Sequence, residues 1–157
     1  MNAYTERDVE FMRQALSEGR KCSSVETAYN VGAVITTSDG KRVVATGYSR
    51  KYPGNTHAEQ CALMDLAEES AACDGQTRGL VMYTTMEPCS KRLSGNKPCS
   101  QGIMESGIDT VFVGVMEPDH FVNCTGAKDL VDKGIKVIHI EELEAECKAL
   151  NSHLVLN

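Results

Sequence analysis

The chain has 157 residues, 41% of them hydrophobic and 24% charged, with a formal net charge of -6, which suits one domain, 1–157, with one sizeable core. No run approaches the ~20 apolar residues of a membrane-spanning helix, the charged start "MNAYTERDVEFMRQ" lacks a secretory h-region, and an acidic chain lacks the basic stripe of a general nucleic-acid surface. Seven scattered cysteines, an odd number, argue against a secreted disulfide framework, so the expected compartment is the cytoplasm, where thiols stay free or hold metal.

In chain order, Thr5 and Asp8 form a capping pair, and Val9, Met12, Ala15 and Leu16 recur at helical spacing. The first helix is therefore expected over Thr5–Gly19. Two β-rich runs, "NVGAVITT" and "RVVATGYS", flank Asp39-Gly40, a hairpin signal, and read as antiparallel neighbours. Thr56 is a good N-cap with Glu59 three residues later, opening a second helix that runs towards Ala72. "GLVMYTT" (79–85) is a continuous apolar strand of the buried kind. A helix near Cys99–Ser106, a buried strand over 110–115, a helix near Gly126–Lys133, a strand over 136–140 and a last helix over 141–153 follow. An antiparallel pair followed by βα repeats predicts a five-stranded mixed sheet between helical layers, a three-layer α/β/α fold. In such sheets ligand sites lie at strand ends and helix starts.

Two segments of chemical interest fall there. "HAE" (57–59) opens the second helix, and "MEPCSKRLSGNKPC" (86–99) follows the third strand. One imidazole and two thiolates, from His57, Cys89 and Cys99, suit Zn²⁺ and leave a fourth position for water. The prolines ahead of both cysteines stiffen the backbone. His-x-Glu at a helix start, then Pro-Cys, then a second cysteine, matches the zinc deaminase signature, in which the glutamate is the general acid and base. That signature has two residues between the cysteines, whereas nine stand here. The first thiol must then come from the strand end and the second from the helix start. Cys61 stands one helical turn after His57, so a closed four-ligand site, with Glu59 only a cap, is the other reading of the same residues. The excursion between the cysteines carries Lys91, Arg92 and Lys97. These three are a clamp for a substrate phosphate or the charges of a solvated turn.

The stretches "VGAVI" (31–35), "GYSRKYPGNTHAEQCAL" (47–63), "TTMEPCSKRLSGNKPC" (84–99) and "FVGVMEPDHF" (112–121) resemble the cytidine-deaminase superfamily, and within it the fungal-type pyrimidine deaminases of riboflavin biosynthesis. The resemblance implies a cytidine-deaminase-like fold and one zinc ion held by His57, Cys89 and Cys99 with Glu59 catalytic. It also implies hydrolytic removal of an amino group from a diaminopyrimidinone carrying a phosphorylated ribityl or ribosyl chain, the ribityl form being expected for the fungal-type order. Bacterial relatives carry a fused reductase domain, and this chain is expected to hold the deaminase domain alone. The resemblance further implies a homodimer or higher homo-oligomer. Asn30 stands near the position of a substrate-binding asparagine in relatives, and Asn55, Glu87 and Asp119 are further candidates for contact with the ring or its chain.

Two rivals share the metal residues. A nucleic-acid base deaminase wants basic surface and stacking aromatics, but aromatics are 5% and tryptophan is absent. A non-catalytic, zinc-stabilised domain would use Cys61 as the fourth ligand.

Overall fold

The structure, a computed structural model, describes residues 3–26, 28–72, 79–90, 97–116 and 126–154. Helix α1 spans Glu6–Gly19 behind the expected capping box. Thr5 N donates to Asp8 Oδ2 at 2.8 Å, and Asp8 N donates to Thr5 Oγ1 at 3.3 Å. Two of the four donors orphaned at a helix start are thereby satisfied. Strands β1 (Gly32–Thr36) and β2 (Val43–Tyr48) pair antiparallel across the Asp39-Gly40 turn. Gly40 adopts φ +67° there, and the Asp39 carboxylate accepts from Thr37 Oγ1 and Lys41 N. The remaining elements are α2 (Ala58–Ala72), β3 (Leu80–Thr84), α3 (Cys99–Met104), β4 (Ile108–Val113), α4 (Gly126–Asp132), β5 (Lys136–His139), a 3₁₀ turn (Glu141–Leu143) and α5 (Glu144–Ala149).

The five strands form one mixed sheet in the order β2-β1-β3-β4-β5. β1 is antiparallel to both neighbours, whereas β3, β4 and β5 run parallel. Because side chains alternate across a strand, each strand feeds two cores. Ala33, Ile35, Met82, Val111 and Val113 pack with Ala58, Ala62 and Leu66 of α2, Ile103 of α3 and Leu130 of α4. The alternate residues Val34, Tyr83 and Phe112 pack with Met12 and Leu16 of α1 and with Leu143 and Cys147 near the C-terminal end. On that second face Tyr83 stacks on Phe112, ring centroids 4.8 Å apart, and its hydroxyl donates to Asp8 Oδ1 at 2.6 Å. These layers are the expected three-layer α/β/α arrangement.

Of the boundaries that differ from expectation, three have a visible cause. Strand β4 starts at Ile108, two residues early, because Gly107 turns the chain at φ +85° and Ile108 already pairs with Leu80. The last helix is split: Leu143, buried, sits at φ -107° and ψ 6° between the 3₁₀ turn and α5. Helix α2 starts at Ala58, without a Thr56–Glu59 box.

At Gly47 of β2 an added Cβ would lie 2.2 Å from Ala58 O and 2.6 Å from Ala62 N. The first turn of α2 therefore rests directly on the sheet backbone, a packing open only to glycine. That contact sets the height at which His57 and Glu59 meet the end of β3.

Candidate active site

The loop from Ser49 to Thr56 delivers the first ligand. Arg50 and Asn55 both take left-handed backbone conformations, φ +65° and +56°, and Arg50 N donates to Thr56 O at 2.7 Å. Thr56 spends its hydroxyl inside this loop, donating to Tyr52 O at 2.7 Å and accepting from Tyr52 N at 3.2 Å. The capping role passes to His57, whose N–H donates to Gln60 Oε1 at 3.3 Å while its carbonyl accepts from Cys61 N at 2.9 Å. Glu59, released from capping, turns towards the sheet. Its Oε1 accepts from Thr84 Oγ1 at 2.7 Å, and the residue is 4% exposed.

The two sulfurs arrive as the cysteine spacing predicts, one past the end of β3 and one at the first residue of α3. Pro98, at φ -61°, precedes the helix, Ser100 N donates to Cys89 O at 3.1 Å, and Cys99 N donates to Cys89 Sγ at 3.3 Å. His57 Nδ1 lies 3.7 Å from Cys89 Sγ and 3.4 Å from Cys99 Sγ, and the three donor atoms all lie within 4.8 Å of one another. Tetrahedral zinc with Zn–N of about 2.0 Å and Zn–S of about 2.3 Å places a nitrogen and a sulfur roughly 3.6 Å apart. The donor set and its spacing fit that ion. Among the described residues this is the only such group. Cys61 stays out of it, fully buried with its Cβ 3.0 Å from where a Cβ at Gly47 would stand.

Hydrogen bonds from Cys99, first its side chain and then its backbone N–H, together with the His57 ring, hold the Cys89 thiol far below its ordinary value despite burial. A thiolate is the form that ligates metal. Burial pushes the Glu59 carboxyl above the usual carboxylate range, against the hydrogen bond from Thr84 and the His57 charge. A carboxyl whose hold on a proton is raised beside a metal cluster is equipped to move protons.

His57, Glu59 and Cys89 line a cavity of about 260 Å³ whose wall includes Tyr29, Arg50, Asn55, Met86 and Glu87. Of the candidate contact residues, Asn55 and Glu87 are thus at the cavity, Glu87 only 7% exposed. Asn30 lines a different cleft beside α1, its amide donating to Ser24 Oγ and Leu150 O. Its Oδ1 accepts from Arg50 Nη2 at 2.6 Å, so Asn30 reaches the cavity wall through Arg50. Lys97 pairs with Glu105 at 2.6 Å and lines a separate groove between α2 and α3. Lys91, Arg92 and Asp119 lie outside the described residues.

Two further residues at the site lie in the family-like stretches 47–63 and 84–99 without a role suggested by the pattern itself. Arg50 fastens the cavity wall, its guanidinium donating also to Tyr29 O and Ser23 O. Thr84 holds Glu59. A signal for Thr84 existed in the sequence: a hydroxyl inside an apolar strand must find a partner when buried.

A family model described as the cytidine and deoxycytidylate deaminase zinc-binding region matches residues 5–115. A diaminohydroxyphosphoribosylamino-pyrimidine deaminase of Schizosaccharomyces pombe is 43% identical over 146 residues, 92% of this chain and 35% of that protein. The chain thus spans about a third of that relative's length. Of solved structures, the Aspergillus oryzae Rib2 deaminase in complex with DARIPP, a C-terminal deletion mutant, superposes with a TM-score of 0.73 at 32% identity, covering 92% of this chain and 98% of that one. A Thermotoga maritima diaminohydroxyphosphoribosylaminopyrimidine deaminase and uracil reductase gives a TM-score of 0.79 at 32% identity, covering 92% of this chain and 39% of that one.

Proposed function

Because the chain belongs to the cytidine and deoxycytidylate deaminase zinc-binding family, we propose that it is a zinc-dependent aminohydrolase of riboflavin biosynthesis. Its substrate is a 2,5-diamino-6-(ribitylamino or ribosylamino)-4(3H)-pyrimidinone 5'-phosphate, from which it removes the C2 amino group as ammonia. The observation that carries this reading is the clustering of His57, Cys89 and Cys99, the first two on the wall of a cavity that the buried Glu59 also lines. The Schizosaccharomyces and Aspergillus relatives give the substrate class its support.

His57, Cys89 and Cys99 would hold the zinc. When bound, zinc supplies the Lewis acidity that makes water a nucleophile near neutral pH. Glu59 takes one proton of the attacking water and gives it to a ring nitrogen, then takes the second, from the hydroxyl now on C2, and gives it to the departing amine. The water oxygen bonds to C2, the bond from C2 to the amine breaks, and ammonia leaves. Asn55 and Glu87, at the cavity wall, orient the pyrimidine ring. Lys91 and Arg92, on the loop between the two cysteines, bind the phosphate, while Asp119 contacts the substrate chain. Arg50 and Asn30 keep the wall in place, and Lys97 is tied to Glu105 at the groove between α2 and α3.

We take residues 1–157 as one deaminase domain that works in the cytoplasm as a homo-oligomer. No helix among the described residues is long and apolar enough to cross a membrane. The decisive experiment is an ammonia-release assay on the ribityl and ribosyl phosphates side by side, with RNA as a third substrate and zinc measured in the same samples. Turnover of either phosphate with one zinc per chain is expected, and faster for the ribityl form. Release from RNA alone would overturn the reading.

A further inference from the structure

We infer that Thr84 is a positioning residue that fixes the Glu59 carboxylate, holding one oxygen so that the other is presented to the reacting atoms. The inference rests on the role proposed for Glu59.

Thr84 is the last residue of β3 and fully buried. Its backbone is held from both sides: it lies opposite Ala33 on β1 and Val113 on β4, and its carbonyl accepts from Gly114 N at 3.0 Å. By the alternation of the strand it faces the same way as Met82, into the layer where α2 lies. A β-branched side chain is stiff at χ1, so this backbone aims the hydroxyl at one place. Two acceptors stand in reach, Glu59 Oε1 at 2.7 Å and Met86 O at 3.1 Å. A hydroxyl has one proton to give. The carboxyl oxygen is the nearer, so it receives the proton.

Glu59, by contrast, ends a long side chain whose terminal torsion is broad and nearly two-fold. A carboxylate that must collect and release protons at fixed atoms gains from having that torsion settled beforehand. The donor from Thr84 settles it. Oε1 is occupied as an acceptor, and Oε2 is left to trade protons with water, ring nitrogen and amine. Thr84 thus ties the working carboxylate to the central strand of the sheet.

The test compares Thr84→Val, which keeps the shape and removes the hydroxyl, with Thr84→Ser, which keeps the hydroxyl. Each is loaded with zinc and assayed for kcat and KM on the ribityl phosphate beside the unsubstituted chain. Supporting groups around metal sites are commonly worth about 10- to 100-fold in activity. The expected result is that Thr84→Val loses kcat by that factor with KM and zinc content held, and that Thr84→Ser recovers kcat to within about threefold. Crystal structures of both variants should show Glu59 Oε1 displaced in Thr84→Val alone. If Thr84→Val does not fold, Thr84→Ser against Thr84→Ala repeats the comparison with one oxygen as the difference. Equal kcat in the variants with and without the hydroxyl, or an unmoved Glu59, overturns the inference while leaving the proposed activity standing. No ammonia from the unsubstituted chain removes the activity, and the inference with it.

Discussion

At the scale of single residues, Glu59 and Cys61 separate a catalytic site from a structural one. Glu59→Gln keeps the side-chain volume and can still accept from Thr84, but it no longer takes up a proton. The fold and the zinc should survive, and kcat should fall by at least ~10²–10⁴-fold, the usual worth of a general acid and base. Steady-state assay beside metal analysis reads this, and near-normal turnover would remove Glu59 from the chemistry. Cys61→Ala should leave zinc at one per chain, since Cys61 is buried against β2 away from the cluster. Zinc lost in that variant would restore the closed-site reading. Cys147 gives a pH signature. Burial first, then the charges of Glu146 and Glu144, pushes its thiol from 9.0 up to about 12. A raised thiol stabilises the fold fully below its unfolded value, and that contribution drains away as pH climbs from about 9 towards about 12. Cys147→Ala should therefore cost less stability at about pH 11 than at about pH 8, read from urea midpoints. An equal cost at both would mean that Cys147 titrates in the folded chain as it does in the unfolded one.

Elements were legible wherever a local pattern was strong. The Thr5–Asp8 box, the Asp39-Gly40 turn and the apolar β-rich runs of β1, β3 and β4 depend on neighbours in sequence, and each stands where it was expected to within two residues. The start of α2 was not legible. Thr56-x-x-Glu59 satisfies the capping pattern, but the pattern cannot report that Thr56 is engaged by Tyr52 or that a hydroxyl on a strand 25 positions away reaches Glu59. The cluster of His57, Cys89 and Cys99 was legible because its residue types are rare and chemically matched. Arg50 and Thr84 were missed because their partners come from distant segments. The contact of α2 on Gly47 also escapes any local pattern, and it is open to test. Gly47→Ala must push α2 off the sheet, since the blocking atoms are backbone. Overpacking of this kind costs ~1–3 kcal/mol. Thermal unfolding should shift down, and a competing chelator should strip zinc faster because His57 moves with the helix. Unchanged zinc retention would show that the ligand loop holds its place without α2.

For the molecule as a whole, the layers and the metal are coupled unequally. The face covered by α1 and α5 closes on apolar contacts, joined by polar links such as the Tyr83–Asp8 bond. The opposite face carries α2 and α3, whose first residues bring the cluster together. An ion bound only by the native state adds stability by mass action, about 2.7 kcal/mol when its concentration is 100 times its dissociation constant. Chelation should lower the melting temperature and zinc should restore it. Hydrogen exchange should quicken first around α2 and α3, while the α1 face keeps its protection. Uniform loss of protection would make the sheet one cooperative unit with its metal.

The three ligand atoms sit at positions 57, 89 and 99, brought together by β3 and by its pairing to β1, itself paired to β2. During synthesis a ribosome must therefore release the chain past Cys99 before any ion finds its third donor. Truncated nascent products that stop short of α3 should bind zinc weakly, however complete their first hairpin and helices. Metal capture then becomes a late checkpoint in the life of the polypeptide, reporting that the middle of the sheet has already assembled.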